Sequence, residues 1–269
     1  MATVYQALAE LEEKNQPGVL CTIVSAQGST PRHMGSKMLV YHDGRILGTV
    51  GGGEMESRVI AEAQLALADG RPRMLHYSMS EPDRGDPGVC GGQVEIFVEP
   101  LNPQPTLVVI GAGHVGRAVA HLARWLGFRV VVSDDRPEYC SPATVPDADE
   151  YLPVPMEQLP QKRQITPWTY LVLTTRGVPI DVQGLPALLT TPAAYIGVIG
   201  SRRRWATTFK QLLEAGIPED QLKRVHSPMG LEIQAETPEE IAVSILAEII
   251  QLRQAEKTAL PPIEAGAVQ

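Results

Sequence analysis

Positive charge and cysteine are both scarce. Lys and Arg number 23 against 31 Asp and Glu, a net charge of −8 in 269 residues. A dedicated nucleic-acid binder carries the opposite excess, so no nucleic-acid partner is expected, although a local basic pocket for a phosphate is compatible with this balance. The three cysteines, Cys21, Cys90 and Cys140, include no C-x-x-C pair. A thiolate-held iron–sulfur cluster or an all-cysteine zinc site needs about four thiolates, more than this chain has. An odd, sparse set fits a reducing compartment better than a disulfide framework, and the expected location is the cytoplasm. Long apolar runs are also missing. The uncharged stretch 182–200 contains Gly184, Pro186, Pro192 and Gly197, and is expected to break into short elements rather than span a membrane. The opening segment has no basic start, and Val4, Ala7, Leu8 and Leu11 fall on one helix face, which predicts a helix and not a signal peptide. Histidines 33, 42, 76, 114, 121 and 226 offer no i, i+4 pair for a helical metal site, and neither a P-loop nor a G-x-S-x-G elbow occurs.

What is present is enough to fold. At 43% hydrophobic and 20% charged, the chain can bury a core in one large domain or two ordinary ones. Pro100, Pro103 and Pro105 lie between two strand-like runs, 94–99 and 106–110. Proline there blocks helix and sheet continuation, which marks a boundary. The expected division is an α+β domain over 1–101, a Rossmann-like domain over 106–254 and a flexible tail over 255–269. In the first half the pattern predicts a helix, strands at 19–25, 38–41 and 45–50 with a hairpin turn at Asp43-Gly44, a helix over 54–68 closed near Gly70, and a last strand at 94–99. In the second half, strands at 107–110, 129–133, 170–174 and 194–199 alternate with helices, so a parallel sheet covered on both faces is expected. Thr237-Pro238-Glu239-Glu240 is a capping box opening a final, mostly apolar helix.

Residues 107–120, LVVIGAGHVGRAVA, form a dinucleotide fingerprint between a strand and a helix. Gly111 permits the tight turn, Gly113 lets the backbone approach a pyrophosphate, and Gly116 lets helix and strand pack closely. His114 lies inside this loop, placed where it could face a ligand. Asp134, 18 residues after Gly116, is placed to accept hydrogen bonds from a ribose, with Asp135 beside it. A second strand–glycine–helix junction, Gly51-Gly52-Gly53, offers backbone N–H groups to a phosphate or other oxyanion, with Arg32 and Lys37 nearby to add charge; a plain tight turn is the competing reading. Cys90, beside Gly91-Gly92, is placed to contact a soft metal or transferable sulfur, whereas Cys21 reads as core and Cys140 as incidental. Ser201, Arg202, Arg203 and Arg204 follow a parallel strand and so belong at the sheet's carboxyl edge, where guanidinium forks suit phosphates.

Taken together, these segments resemble the XdhC/CoxI family of molybdenum-enzyme accessory proteins. The resemblance rests on 28–32, 48–56 and 90–92 in the first half. In the second it rests on 109–116, Asp134-Asp135-Arg136, 199–204, 227–233 and 237–242. It implies a protein that binds the molybdenum cofactor (molybdopterin), supports its sulfuration and delivers it to a xanthine dehydrogenase-type molybdoenzyme. A cysteine desulfurase is a further expected partner, and a homodimer the expected assembly. Such a protein is a cofactor chaperone rather than an enzyme with its own turnover, though it often carries the dehydrogenase's name. One departure stands out: Val178 occupies a place where relatives often carry His, while Arg176 and Asp181 remain. Two alternatives stay open at this stage, an NAD(P)-dependent oxidoreductase using the Rossmann domain with NAD(P) or another nucleotide, and a ligand-sensing module without turnover.

Overall fold

The structure, a computed structural model, describes residues 3–78 and 91–258. Cys90 and the polar loop before it, and the tail beyond 258, lie outside the described residues. Two compact units separate at the proline joint, one extending to Pro103 and the other covering Gln104–Ala255.

The first unit is built on an antiparallel sheet. Helix α1 (Val4–Glu13) opens with a capping box in which Thr3 and Gln6 each satisfy the other's backbone N–H. Strands β1 (Gly18–Gln27), β2 (Lys37–Tyr41) and β3 (Ile46–Gly48) follow, the last two joined at the Asp43-Gly44 turn. Then come α2 (Gly53–Asp69), β4 (Arg73–Ser78) and β5 (Gln93–Leu101). The strand order is β3-β2-β1-β5-β4. One face buries Met55, Val59, Ala63 and Ala66 of α2 against Cys21, Ile23, Ile96 and Val98. The spacing of those four α2 residues, at i, i+4, i+8 and i+11, is what a helix needs to present one apolar stripe. On the other side, Ala7 and Leu11 of α1 pack on Leu39.

The second unit is a doubly wound α/β fold. Its elements are β6 (Thr106–Ile110), α3 (His114–Trp125), β7 (Arg129–Ser133), β8 (Glu150–Leu152), α4 (Leu159–Lys162), β9 (Thr169–Leu173), α5 (Val178–Leu189), β10 (Tyr195–Val198), α6 (Arg202–Glu214), α7 (Glu219–Leu222), β11 (Val225–His226) and α8 (Pro238–Thr258). All pairings are parallel, in the order β11-β10-β9-β6-β7-β8. Strand order therefore reverses between β6 and β9, the topological switch point at which such sheets bind ligands. Helices α3 and α8 cover one face of the sheet, and α5 and α6 the other. Every residue of β6 and β9 is buried, as a strand covered on both faces requires. Helix α8 begins at the expected capping box, with Thr237 and Glu240 exchanging hydrogen bonds. It runs helical to Thr258, through the first four residues of the expected tail.

Candidate functional site

The carboxyl ends of β6, β7 and β9 enclose a cavity of ≈ 180 Å3. Its floor is the turn after β6. The Thr174 hydroxyl donates to the Gly111 carbonyl at 2.5 Å, and a Cβ on Gly111 would lie 2.6 Å from the Thr174 carbonyl oxygen. A Cβ on Gly116 would overlap the Gly111 carbonyl oxygen. The glycines at 111 and 116 are thus required by close backbone packing, whereas Gly113 faces open space and leaves room for a ligand to approach.

Asp134 is 4% exposed and its carboxylate is filled. Oδ2 accepts from the Ala112 N–H at 2.8 Å and from Arg136 Nη2 at 3.0 Å, while Oδ1 accepts from Arg136 N and Nε at 3.0 and 2.9 Å. Burial pushes this carboxyl up, but the hydrogen bonds from Arg136 and Ala112 outweigh it and hold the group below the ordinary carboxylate value. The Arg136 guanidinium also lies over the Tyr139 ring, 3.8 Å from its centroid. The neighbouring Asp135 receives Arg176 Nη2 at 2.9 and 2.7 Å, in a pair whose side chains are 46% and 45% exposed, and its Oδ1 also lies 4.0 Å from Arg136 Nε. Gly111, Asp134, Asp135, Arg136 and Arg176 all line the cavity. Carboxylate and guanidinium therefore alternate around a glycine turn.

The other sequence-predicted residues of this unit fall outside the cavity lining. Gly113 caps α3 and His114 is its first residue, exposed. Ser201 caps α6, accepting from the Arg204 N–H at 3.2 Å. Arg202 and Arg203 are exposed, and no ion pair engages their guanidinium groups among the described residues. Arg204 turns inward: its Nη2 donates to Asp181 Oδ2 and to Thr175 Oγ1, both at 2.7 Å. Asp181 is fully buried and also accepts from the Thr175 hydroxyl, so this arginine fastens α6 to α5 and the end of β9.

A second cluster was not legible as a unit. Glu248 of α8 accepts from the Tyr195 hydroxyl at 2.5 Å and the Gly230 N–H at 2.9 Å, and lies 3.5 Å from His226 Nδ1. The Tyr195 and His226 rings stack with centroids 4.7 Å apart. Burial raises the Glu248 carboxyl, but bonds from His226, Tyr195 and Gly230 outweigh it and hold the group below its usual value. The only sequence cue is a lone acid in the apolar run of α8.

In the first unit, motifs distant in sequence converge. A Cβ on Gly28 would lie 3.2 Å from the Gly91 carbonyl oxygen and the Gly92 Cα, and one on Gly51 would lie 2.8 Å from Pro31 Cγ. The loop holding Arg32, which is exposed, thus sits against both glycine segments. The Gly51–Gly53 junction is partly occupied by the chain itself. Glu56 Oε2 accepts from the Val50 and Gly52 N–H groups at 3.2 and 3.3 Å and from the Thr49 hydroxyl, and the Gly51 N–H donates to Thr49 Oγ1 at 3.1 Å. Glu56 follows Gly52 by one helical turn, the reach a capping-type carboxylate needs. Among the described residues, no three or more His, Cys, Asp or Glu side chains gather as a metal site, and no helix is long and apolar enough to cross a membrane.

A doubly wound sheet with a polar cleft at its switch point and an antiparallel α+β unit define a two-unit protein with a Rossmann-type domain. Residues 107–249 match the XdhC Rossmann domain, and residues 11–78 match the XdhC and CoxI family. The chain belongs to that family. It is 39% identical over 256 residues to YqeB, an uncharacterised protein of Escherichia coli strain K12, an alignment covering 93% of this chain and 46% of that protein. It is 38% identical over 159 residues to a probable xanthine dehydrogenase subunit of Bacillus subtilis strain 168, covering 59% of this chain and 46% of that one. The chain thus spans less than half the length of these two relatives. The molybdenum cofactor insertion chaperone PaoD of E. coli K12 is 25% identical over 291 residues, covering 97% of this chain and 92% of the chaperone. Among solved structures, a protein from Bacillus halodurans described as a xanthine dehydrogenase aligns at 26% identity with a TM-score of 0.52, covering 97% of this chain and 98% of that one.

Proposed function

We propose that this chain is a cytoplasmic accessory protein that binds the molybdenum cofactor as cargo, supports its sulfuration and delivers it to a xanthine dehydrogenase-type molybdoenzyme. The observation that carries this reading is the switch-point cleft, where Arg136 and Arg176 alternate with Asp134 and Asp135 around the Gly111 turn. Molybdopterin joins a phosphate to a flat polar heterocycle, and a cleft of alternating donors and acceptors over exposed backbone suits both parts. In this reading the cleft holds the phosphate-bearing portion, and Arg202 and Arg203 supply further positive charge at the same sheet edge. Cys90, the sequence neighbour of Gly91, offers the thiol that meets molybdenum or its sulfur. A cysteine desulfurase supplies the sulfur, and the working form is a homodimer. The relatives named as a molybdenum cofactor insertion chaperone and as a dehydrogenase subunit support the same assignment.

Purification from a host that makes the cofactor tests this. Elemental analysis is expected to find molybdenum with the chain, and oxidation to release a fluorescent pterin. Cys90→Ser is expected to retain less of both and to lower the activity of a co-expressed dehydrogenase, with little change in melting temperature. Protein free of molybdenum and pterin, with no effect on that dehydrogenase, refutes the proposal. The glycine turn after β6 also favours a second occupant, NAD(P) or another nucleotide, and mass spectrometry of the bound small molecules separates the two.

A further inference from the structure

The cleft contains two guanidinium groups, and they are committed very differently. Arg136 is bound to the buried Asp134 through Nε and Nη2, and its backbone N–H bonds the same carboxylate. Releasing it would strand a buried charge, which is strongly disfavoured. Arg176 is paired with Asp135 alone, through one nitrogen, in a pair about half exposed on each side. A pair of that kind is weak and exchanges partners easily.

The position of the second pair gives this difference a use. Asp135 follows β7 and Arg176 follows β9, and β6 lies between those two strands. Neighbouring strands stand about 4.8 Å apart, so the ion pair reaches across the end of β6, above the Gly111 turn on which the phosphates of a nucleotide would rest. Asp134, with its four hydrogen bonds, has no acceptor capacity left for a ribose. Of the two acids after β7, Asp135 is the one that a ligand can displace or engage.

We propose that the cleft takes the phosphate of a nucleotide on Arg176, and that Asp135 is the resident competitor which this phosphate displaces. This rests on the reading of the cleft as a phosphate-binding site. A phosphate offers two oxygens to the guanidinium fork where the carboxylate now draws on one nitrogen. The released Asp135 turns to solvent, away from the incoming negative charge. The alternative role for Asp135, gripping the ribose hydroxyls, predicts the opposite response to its neutralisation.

Calorimetric titration of the full chain with ADP, and with adenosine as the phosphate-free control, decides between them. Asp135→Asn is expected to tighten ADP binding about two- to five-fold by removing a weak competing pair, and to leave adenosine binding within about two-fold. Arg176→Ala is expected to weaken ADP about ten-fold or more, the loss of a charge-assisted bond. Both side chains are exposed, and unchanged melting curves confirm that the variants fold. Weaker ADP binding by Asp135→Asn, an equal change for adenosine, or no change in Arg176→Ala each overturns the exchange while leaving the cleft a nucleotide site. No ADP binding by either wild type or Asp135→Asn overturns nucleotide binding at the cleft and the exchange with it, while the cofactor reading is decided by the molybdenum and pterin measurement.

Discussion

Each unit opens a helix with a glycine turn, and in each a carboxylate of the chain itself takes a backbone amide of that turn. They differ in how the charge is balanced. Glu56 occupies two amides and the Thr49 hydroxyl in the first unit, and no ion pair engages it among the described residues. Asp134 occupies a single amide of the turn in the second unit and is itself answered by Arg136. The first turn thus carries its own anion, and a second one approaching it meets like charge. The second turn is neutralised locally and stays receptive. Two motifs that look alike as glycine-rich strand–helix junctions are opposite in their electrostatics, and the deciding residues lie outside the glycines.

Substitution of the glycines gives the widest separation. Gly116→Val drives a side chain into the Gly111 carbonyl and is expected to cost the second unit roughly 3 kcal/mol or more. Gly52→Ala meets no atom but sits at φ +79°, ψ −179°, backbone all but reserved for glycine, a cost of about 1–3 kcal/mol. Gly113→Ala, at φ −71° in open space, is expected to leave stability unchanged. Urea denaturation ranks the three, and a Gly113 variant as damaged as the Gly116 one would contradict the packing described for this turn.

Removing the internal carboxylates sharpens the contrast. Asp134→Ala leaves the Arg136 guanidinium and the Ala112 amide without their acceptor, and Glu56→Ala leaves the Val50 and Gly52 amides without theirs. Each is expected to lose about 1–3 kcal/mol. Glu56→Gln keeps an acceptor oxygen but drops the charge. Added phosphate is therefore expected to raise the melting temperature of Glu56→Gln more than that of wild type. Identical responses would mean that the Glu56 charge does not guard the first turn.

Acid separates the units more gently. Asp134 and Glu248, both in the second unit, are held below the ordinary carboxylate value despite burial, by hydrogen bonds from Arg136 and Ala112 and from His226, Tyr195 and Gly230 respectively. A depressed carboxyl favours the folded chain while ionised. Its contribution is complete above the unfolded value of about 4 and is lost as pH falls through the depressed one. Melting temperature is expected to fall more steeply below pH of about 4 in wild type than in Glu248→Gln; parallel curves would show that Glu248 carries none of the acid sensitivity.

The smallest difference between the units concerns thiol reactivity. Burial pushes the Cys21 thiol up to about 12 and raises that of Cys140, so both are expected to resist a disulfide reagent at neutral pH until the chain unfolds. Cys21→Ser is expected to lower stability by about 1–3 kcal/mol. Rapid native-state labelling of Cys21 would contradict its place in the core.

Most of the regular structure was readable because it obeys one period at a time. The buried runs of β6, β7 and β9, the Asp43-Gly44 hairpin and the capping box of α8 all announce themselves locally. What escaped depends on distant partners. Gly184 and Pro186 read as breakers, yet both lie inside α5. Gly184 is there because Met156 presses against it, so that a Cβ would lie 2.6 Å from the thioether side chain. Strand β4 is an edge strand with Met74 and His76 facing outward, and its weak apolar signal only becomes a strand by pairing with β5. At the candidate site, the glycine turn was legible from spacing. The division of labour between Asp134 and Asp135 was not, because it depends on which arginine each acid hydrogen-bonds.

The clasp of Glu248 on Tyr195 and Gly230 has a consequence for the order in which the protein is made. Ala242, Ile245, Leu246 and Ile249 of α8 share a core with Leu107 and Val109 of the first parallel strand, so the second unit joins its beginning to its end. A ribosome must translate past Ile249 before that core can close, whereas the strands of the first unit are complete by Leu101. During synthesis the antiparallel unit can therefore fold while the parallel sheet still waits for its last helix, its apolar face open to chaperones or to aggregation. Early stop codons ahead of Glu248 should then yield chains whose first unit is protease-resistant and whose second is not.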